Sequence, residues 1–213
     1  MTLKLYSHPL SSFCHKVLIA LYENATPFEP VLLADAEAWA ALKAIWPIGK
    51  MPVLRDEVRD RIVTESSIII EYLGRYYPGP VELAPAEVDF ARQVRLRDRF
   101  FDFYVHQPMQ KLNDDRRRPA DAKDPYGVAE ARRVLEIAYD MLEGDMASKT
   151  WAMGEAFTMA DCAAAPALFY AGRMVPFGQA RPNLGAYLER LMARPSYARV
   201  LAEAEPYFHM LPA

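Results

Sequence analysis

The sequence predicts an α/β domain followed by an all-α helical domain, and three observations support this. Over residues 1–76, short apolar runs with the two-residue period of strands alternate with helical patterns. A proline-rich segment at residues 78–85 cannot continue a helix and marks a linker. Beyond it, only the three- to four-residue apolar period of helices recurs. We therefore expect two domains, at residues 1–80 and 86–213.

The first domain is predicted to have the element order β-α-β-(α)-β-β-α. Its first two strands flank a helix, so they should pair in parallel through a crossover, whereas the last two should form an antiparallel hairpin. The strand patterns cover residues 3–6, 28–33, 51–55 and 61–64; the helical patterns cover 12–22 and 65–76, with a short helix or turn at 39–45.

The second domain is predicted to be entirely helical. A long pattern runs from residue 86 to about 112, and four more follow at 125–146, 159–174, 184–192 and 197–204. Thr158 and Asp161 have the spacing of a capping box at the start of one of these helices.

The composition favours a cytoplasmic globular protein. The 213 residues are 52% hydrophobic and 25% charged, with no apolar run near the roughly 18 residues that span a bilayer, and the first residues do not have the pattern of a secretory signal. Two cysteines are too few for a disulfide scaffold. A net charge of −3 argues against nucleic acid as a partner, and we interpret the basic run at residues 116–118 as a solvated helix end.

The turn between the first strand and the first helix carries Ser11, Ser12 and Cys14. A helix N-terminus offers unpaired N–H groups and a partial positive charge, which together stabilise a thiolate. A serine hydroxyl there could donate a hydrogen bond to a substrate sulfur. Alternatively, Ser11 or Ser12 simply caps the helix.

Two further features lie at the ends of later strands. Met51-Pro52 begins the third strand and is a candidate cis peptide, whose outward-turned backbone could pair with an extended ligand; a trans proline on an edge strand is the alternative. Glu65 and Ser66 open the next helix. They suit an amino-acid zwitterion, with the carboxylate on the helix N-terminus and the ammonium on Glu65, or they form an ordinary cap.

In this order, these motifs resemble the cytosolic glutathione transferases, whose N-terminal domain is thioredoxin-like, and in particular the serine-type, zeta/tau/theta-like bacterial members. The resemblance covers nearly the whole chain. It is carried by YSHPLSSFCHKV at residues 6–17, PIGKMPVL at 47–54, ESSIIIEYL at 65–73 and TMAD at 158–161.

The resemblance implies a role for each matching residue. Ser11 falls at the position of the catalytic hydroxyl, with Ser12 as the neighbouring alternative, whereas Cys14 matches the second, buried cysteine of the thioredoxin pair. Tyr6, which matches the catalytic tyrosine of other classes, is interpreted as a core residue. The residues that would bind glutathione are Lys50, Met51, Pro52, Glu65 and Ser66.

The resemblance also implies a detoxifying transferase that forms a homodimer and acts on a small hydrophobic electrophile bound between the domains. Glutathione is the cosubstrate, and no metal is expected. The predicted pocket walls are Leu10, Phe13, Phe103, His106, Gln107 and Gln110. Two alternatives remain open: a non-catalytic glutathione-binding or interaction protein, and a glutathione-dependent disulfide reductase that uses Cys14.

Overall fold

A four-stranded mixed sheet forms the centre of the first domain in the computed structural model, which describes residues 2–211. The strand order is β2-β1-β3-β4, with β1 parallel to β2 and antiparallel to β3, and β3 antiparallel to β4. The parallel crossover and the final hairpin confirm the predicted topology. The strands are β1 (Leu3–Ser7), β2 (Glu29–Leu32), β3 (Val53–Asp56) and β4 (Arg61–Thr64).

Three helices complete this domain: α1 (Ser12–Glu23), α2 (Ala36–Ile45) and α3 (Ser66–Tyr76). Helix α2 begins before the predicted position because Asp35 caps it, accepting a hydrogen bond from the Ala38 N–H at 2.9 Å. Helix α1 packs against α3 on one side and against helices of the second domain on the other. It is therefore buried almost all round, including its one lysine, Lys16.

Residues 77–87 form neither helix nor strand, and beyond them lies the helical domain. Its helices are α4 (Val88–Phe100), α5 (Gln107–Arg117), α6 (Pro125–Met146), α7 (Met159–Met174), α8 (Pro182–Ala193) and α9 (Pro195–Ala204). The predicted single helix over 86–112 is wrong in one respect: a π-helical turn, Phe101–His106, separates α4 from α5. Hydrogen bonds to the fifth preceding residue widen that turn, and a regular apolar period does not reveal them.

The alanine-rich helix α7 lies at the centre of the helical domain. Its capping box is formed as predicted, with Thr158 at the N-cap and Asp161 accepting from the Thr158 N–H at 2.9 Å. Asp161 also accepts from the Tyr187 hydroxyl of α8 at 2.7 Å. Within residues 2–211, no helix is long and apolar enough to cross a membrane.

Candidate functional site

The three motifs of the first domain converge at one end of its sheet. Tyr6 of β1 and Thr64 of β4 both pair with Val53, the first residue of β3. Because β1 and β4 run antiparallel to β3, the segments that follow β1 and β4 emerge beside the segment that precedes β3. The loop after β1, the Met51-Pro52 bond and Glu65 therefore lie at the same edge.

Ser11 caps helix α1 and keeps its hydroxyl hydrogen available. Its Oγ accepts a hydrogen bond from the Cys14 N–H at 3.3 Å. No side chain or backbone group of residues 2–211 accepts a hydrogen bond from the Ser11 hydroxyl. Capping and donation to a ligand are thus compatible, because the first uses the oxygen and the second uses the hydrogen.

Ser12 is buried and directed at the helical domain. Its Oγ lies 2.5 Å from Nε2 of His106, the last residue of the π-helical turn. The His106 ring also packs on Phe13, with the ring centroids 4.3 Å apart. Burial, followed by the charge of Lys16, lowers the pKa of His106 to about 4. The imidazole is therefore neutral at neutral pH and acts as one donor and one acceptor.

A buried ionic cluster lies one helical turn farther along α1. Lys16, 1% exposed, places its Nζ 2.6 Å from Asp98 and 2.9 Å from Asp102. It also donates to the Ser67 hydroxyl of α3 at 2.9 Å, and Ser67 donates to Asp98 at 2.7 Å. Buried charges need such pairing, and the ammonium lies between two carboxylates and a hydroxyl.

The two contacts between α1 and the π-helical turn share one spacing. Ser12 and Lys16 are four positions apart on α1, and their partners His106 and Asp102 are four positions apart on the turn. The two segments therefore run antiparallel, and the ionic cluster fixes the position of His106 beside Ser12.

The Met51-Pro52 peptide bond is cis, as predicted. Met51 precedes the first residue of β3, and no backbone group of the described residues forms a hydrogen bond with its N–H or C=O. Its backbone is thus open to an extended ligand, as strand addition requires. Lys50 beside it is exposed, with no carboxylate of residues 2–211 within 4.0 Å of its Nζ.

Glu65 adopts a backbone conformation that is unusual for a residue with a side chain. Its φ is 65° and its ψ is 118°, immediately before helix α3. Such conformations cost about 1–3 kcal/mol and cluster at functional sites. The Glu65 side chain is exposed and neither caps the helix nor pairs with a cation among the described residues. Ser66, the first residue of α3, is buried.

A cleft of about 1170 Å³ runs from the N-terminus of α1 along α5 and α7. Its lining includes eight of the thirteen predicted site residues: Leu10, Ser11, Ser12, Phe13, Lys50, Met51, His106 and Gln110. Pro52, Glu65 and Ser66 lie outside its walls, at the sheet edge described above.

Two predicted walls of the electrophile pocket do not line the cleft. Phe103 and Gln107 point away from it and are exposed. The prediction assumed an unbroken α-helical face through residues 103, 106, 107 and 110. The wider π-helical turn shifts Phe103 off the face that carries His106 and Gln110, whereas Gln107 lies on another face of the regular helix α5.

Other lining residues were missed from the sequence, and they come from both domains. Those on α5 follow His106 at helical spacing, a signal that could have been extended along the helix; those on α7 and in the C-terminal segment carry no local motif. They are His8, Gly49, Met109, Asn113, Arg116, Arg117, Tyr170, Arg173, Met174, Met210 and Leu211.

Both cysteines are fully buried. Burial raises the pKa of the Cys14 thiol to about 11, against smaller opposing effects of hydrogen bonds. The thiol therefore stays protonated at neutral pH, and a protonated thiol is a poor nucleophile. This disfavours the disulfide-reductase alternative. Residues 2–211 contain no cluster of three or more histidine, cysteine or acidic side chains that could hold a metal ion.

Comparison with known proteins gives matches over both domains. The model of the glutathione S-transferase N-terminal domain matches residues 5–81, and that of the glutathione S-transferase C-terminal domain matches residues 99–195. The glutathione S-transferase GstB of Escherichia coli strain K12 is 27% identical over 198 residues, covering 87% of this chain and 91% of that protein. A stringent starvation protein A homolog of Coxiella burnetii is 28% identical over 204 residues, covering 94% and 92%.

A crystal structure is similar over almost the same length. The glutathione S-transferase of Methylobacillus flagellatus, solved with glutathione bound, superimposes with a TM-score of 0.83 at 25% identity, covering 93% of this chain and 98% of that one. The fold, the convergent sheet edge and both domain matches lead to one conclusion: the chain belongs to the glutathione S-transferase family.

Proposed function

We propose that the protein binds glutathione at the sheet edge and activates its thiol for attack on a small electrophile held in the cleft. The observation that carries this proposal is the free Ser11 hydroxyl at the N-terminus of α1, which opens on a cleft shared by both domains.

Glutathione would lie extended along the sheet edge. The backbone of Met51, after which Pro52 is cis, would pair with the cysteinyl unit, and Lys50 would approach the glycyl carboxylate. Glu65 would hold the ammonium of the γ-glutamyl end, with its carboxylate at Ser66 and the N-terminal N–H groups of α3. This placement uses unpaired polar groups at three separated positions and brings the thiol to Ser11.

The proposed activation is stabilisation of the thiolate. A free thiol of this kind has a pKa near 8.5, so only a few per cent is thiolate at neutral pH. A hydrogen bond from Ser11 and the positive end of α1 would lower that pKa by about one to two units, at about 1.4 kcal/mol per unit.

The second hydroxyl has a different position. Ser12 shares a single hydrogen with His106, so it reaches the sulfur as a donor only when His106 Nε2 carries the proton between them. Ser11 has no such competitor. We therefore favour Ser11 as the hydrogen-bond donor, with Ser12 as the alternative.

Turnover of a neutral aryl halide, 1-chloro-2,4-dinitrobenzene, tests this function. The thiolate sulfur forms a bond to the ring carbon, chloride leaves with the bonding electrons, and the thiol proton passes to solvent. We expect Ser11→Ala to lower kcat/KM about tenfold or more and to raise the pKa of the bound thiol, read from its ultraviolet thiolate absorbance. Ser12→Ala should change kcat/KM and the pKa of the bound thiol less than Ser11→Ala does.

Calorimetric titration with glutathione separates the alternatives. Binding without turnover of this or other aryl and alkyl halides would support the non-catalytic binding protein. Absence of binding would overturn the proposed function. The predicted homodimer and cytoplasmic location stay predictions.

A further inference from the structure

The cleft is lined by positive charge. Among its described lining residues, Lys50, Arg116, Arg117 and Arg173 are cationic, and none is an aspartate or glutamate. This contrasts with the whole chain, in which 28 acidic residues outnumber 25 basic ones. A cleft lined by one sign of charge concentrates ligands of the opposite sign.

The end of α5 does not need Arg117 as a hydrogen-bond donor. Cations at a helix C-terminus stabilise its dipole, and Arg117 ends α5. However, Lys123 Nζ already donates to the Asp115 carbonyl at 2.5 Å and the Arg116 carbonyl at 3.1 Å. The terminal carbonyls of α5 therefore have a donor that does not line the cleft.

Arg117 and Arg173 keep their guanidinium donors available. No carboxylate within residues 2–211 lies within 4.0 Å of either guanidinium group. Arg173 is instead positioned by aromatic faces, with its Cζ 5.7 Å from the Phe169 centroid and 6.0 Å from that of Phe208. A cation–π contact orients a guanidinium without using its N–H groups.

The side chains that line the cleft change in chemistry along α5. His106 lies at the end near Ser12, Met109 and Gln110 follow one turn later, and Arg117 lies at the far end of the helix. Eleven residues of helical rise place the two ends about 16 Å apart. A ligand extending from the thiol along α5 would meet the thioether and amide first and the Arg117 guanidinium last, with Arg173 supplied to the same cleft by α7.

We propose that the second substrate is an electrophile that carries a carboxylate or sulfonate group, bound by Arg117 and Arg173. The inference rests on the proposed function and names the class of its second substrate. The anion would bind at the arginine end of the cleft while the electrophilic carbon lies at the thiol.

Two electrophiles that differ only in charge test this proposal: 4-chloro-3,5-dinitrobenzoate and its carboxamide. Each kcat/KM is divided by the uncatalysed rate with glutathione, which removes the difference in intrinsic reactivity. We expect the wild type to prefer the carboxylate by about tenfold, the size of one charge-assisted contact. Added salt should reduce the preference.

Variants of the two arginines test whether they cause the preference for the carboxylate over the carboxamide. Arg117→Gln and Arg173→Gln should each reduce the ratio of the two rates several-fold, mainly through KM. Arg118→Gln is the matched control, because Arg118 adjoins Arg117 but lies outside the cleft and donates to the Ala122 carbonyl at 3.3 Å; its ratio should equal that of the wild type. An equal or reversed preference in the wild type would overturn the inference and leave the proposed function intact.

Calorimetry with the two glutathione conjugates of these electrophiles provides a test that does not need turnover. Tighter binding of the carboxylate conjugate, lost in Arg117→Gln, would support the proposal. Equal binding of both conjugates by a protein that binds glutathione would contradict it. Failure to bind glutathione at all would instead reject the proposed function.

Discussion

The Oγ of Ser12 and the Nε2 of His106 lie 2.5 Å apart, and they join the first turn of α1 to the π-helical turn of the other domain. One hydrogen lies between these two atoms. Because His106 is neutral at neutral pH, its ring tautomer decides whether Ser12 is a donor toward the cleft or toward the histidine. The hydrogen bond therefore connects the N-terminus of α1 to the helical domain, one helical turn from the Lys16 cluster.

The stability of the protein should depend on His106 in acid. Its pKa is lowered to about 4 in the folded state, against about 6.5 when unfolded. The contribution of the neutral ring to the free energy of unfolding is therefore complete above pH 6.5 and is lost as the pH falls toward 4. We expect the difference in unfolding free energy between the wild type and His106→Gln to fall by about 3 kcal/mol between pH 7 and pH 4. Urea unfolding at several pH values measures it, and a difference independent of pH would contradict it.

Removal of the buried ammonium should be costly. Lys16→Met leaves buried Asp98 without a cation and leaves Asp102 only with Arg99 at 3.7 Å, so we expect a loss of about 3–5 kcal/mol of unfolding free energy. Lys4→Met is the matched control: its 2.7 Å ion pair with Glu57 is largely solvated, and its loss should change stability little. The denaturant midpoints of the two variants measure these losses of stability. Equal losses in the two variants would show that the cluster does not stabilise the fold.

Cys14 should be unreactive in the folded protein. It is fully buried and its pKa is raised to about 11, so neither access nor thiolate is available at neutral pH. We expect iodoacetamide to modify Cys14 only after denaturation, as followed by mass spectrometry, and Cys14→Ala to retain conjugation of the aryl halide. Rapid alkylation of the native protein, with loss of glutathione-dependent disulfide reduction in Cys14→Ala, would revive the reductase alternative.

Glu65 should contribute to glutathione affinity through its charge. Glu65→Gln retains the shape of the side chain, and the positive φ at residue 65 is equally unfavourable for glutamate and glutamine. We therefore expect unchanged stability but about tenfold weaker binding of glutathione. Glu37→Gln, in the first turn of α2, is the control. If both variants bind glutathione as the wild type does, Glu65 does not hold the ammonium.

Much of the fold followed from local patterns. Strand β4 and helices α6 and α7 have the predicted limits, because each has a clear apolar period and a strong boundary. The start of α3 limits β4, Pro125 begins α6, and Thr158 caps the start of α7. The proline at the start of a strand left cis and trans Met51-Pro52 as alternatives; the family resemblance implied cis, and the bond is cis.

The site was less predictable where it depends on contacts distant in sequence. Lys16 has the local context of a solvated helix position, and only the fold brings Asp98 and Asp102 to it. The π-helical turn has no apolar period of its own, and Phe103, predicted on the face of His106, does not line the cleft. Arg173 lines the cleft because α7 lies opposite α5, a packing relation that no local motif records.

The shared spacing of Ser12–His106 and Lys16–Asp102 restricts how such proteins can exchange parts. A chimaera joined at residues 77–87 would take Lys16 from one parent and both aspartates from the other. Recombination at that junction can transfer the arginine-lined wall of the cleft only between parents with matching cluster residues. The same constraint excludes insertions within residues 12–16 or 102–106.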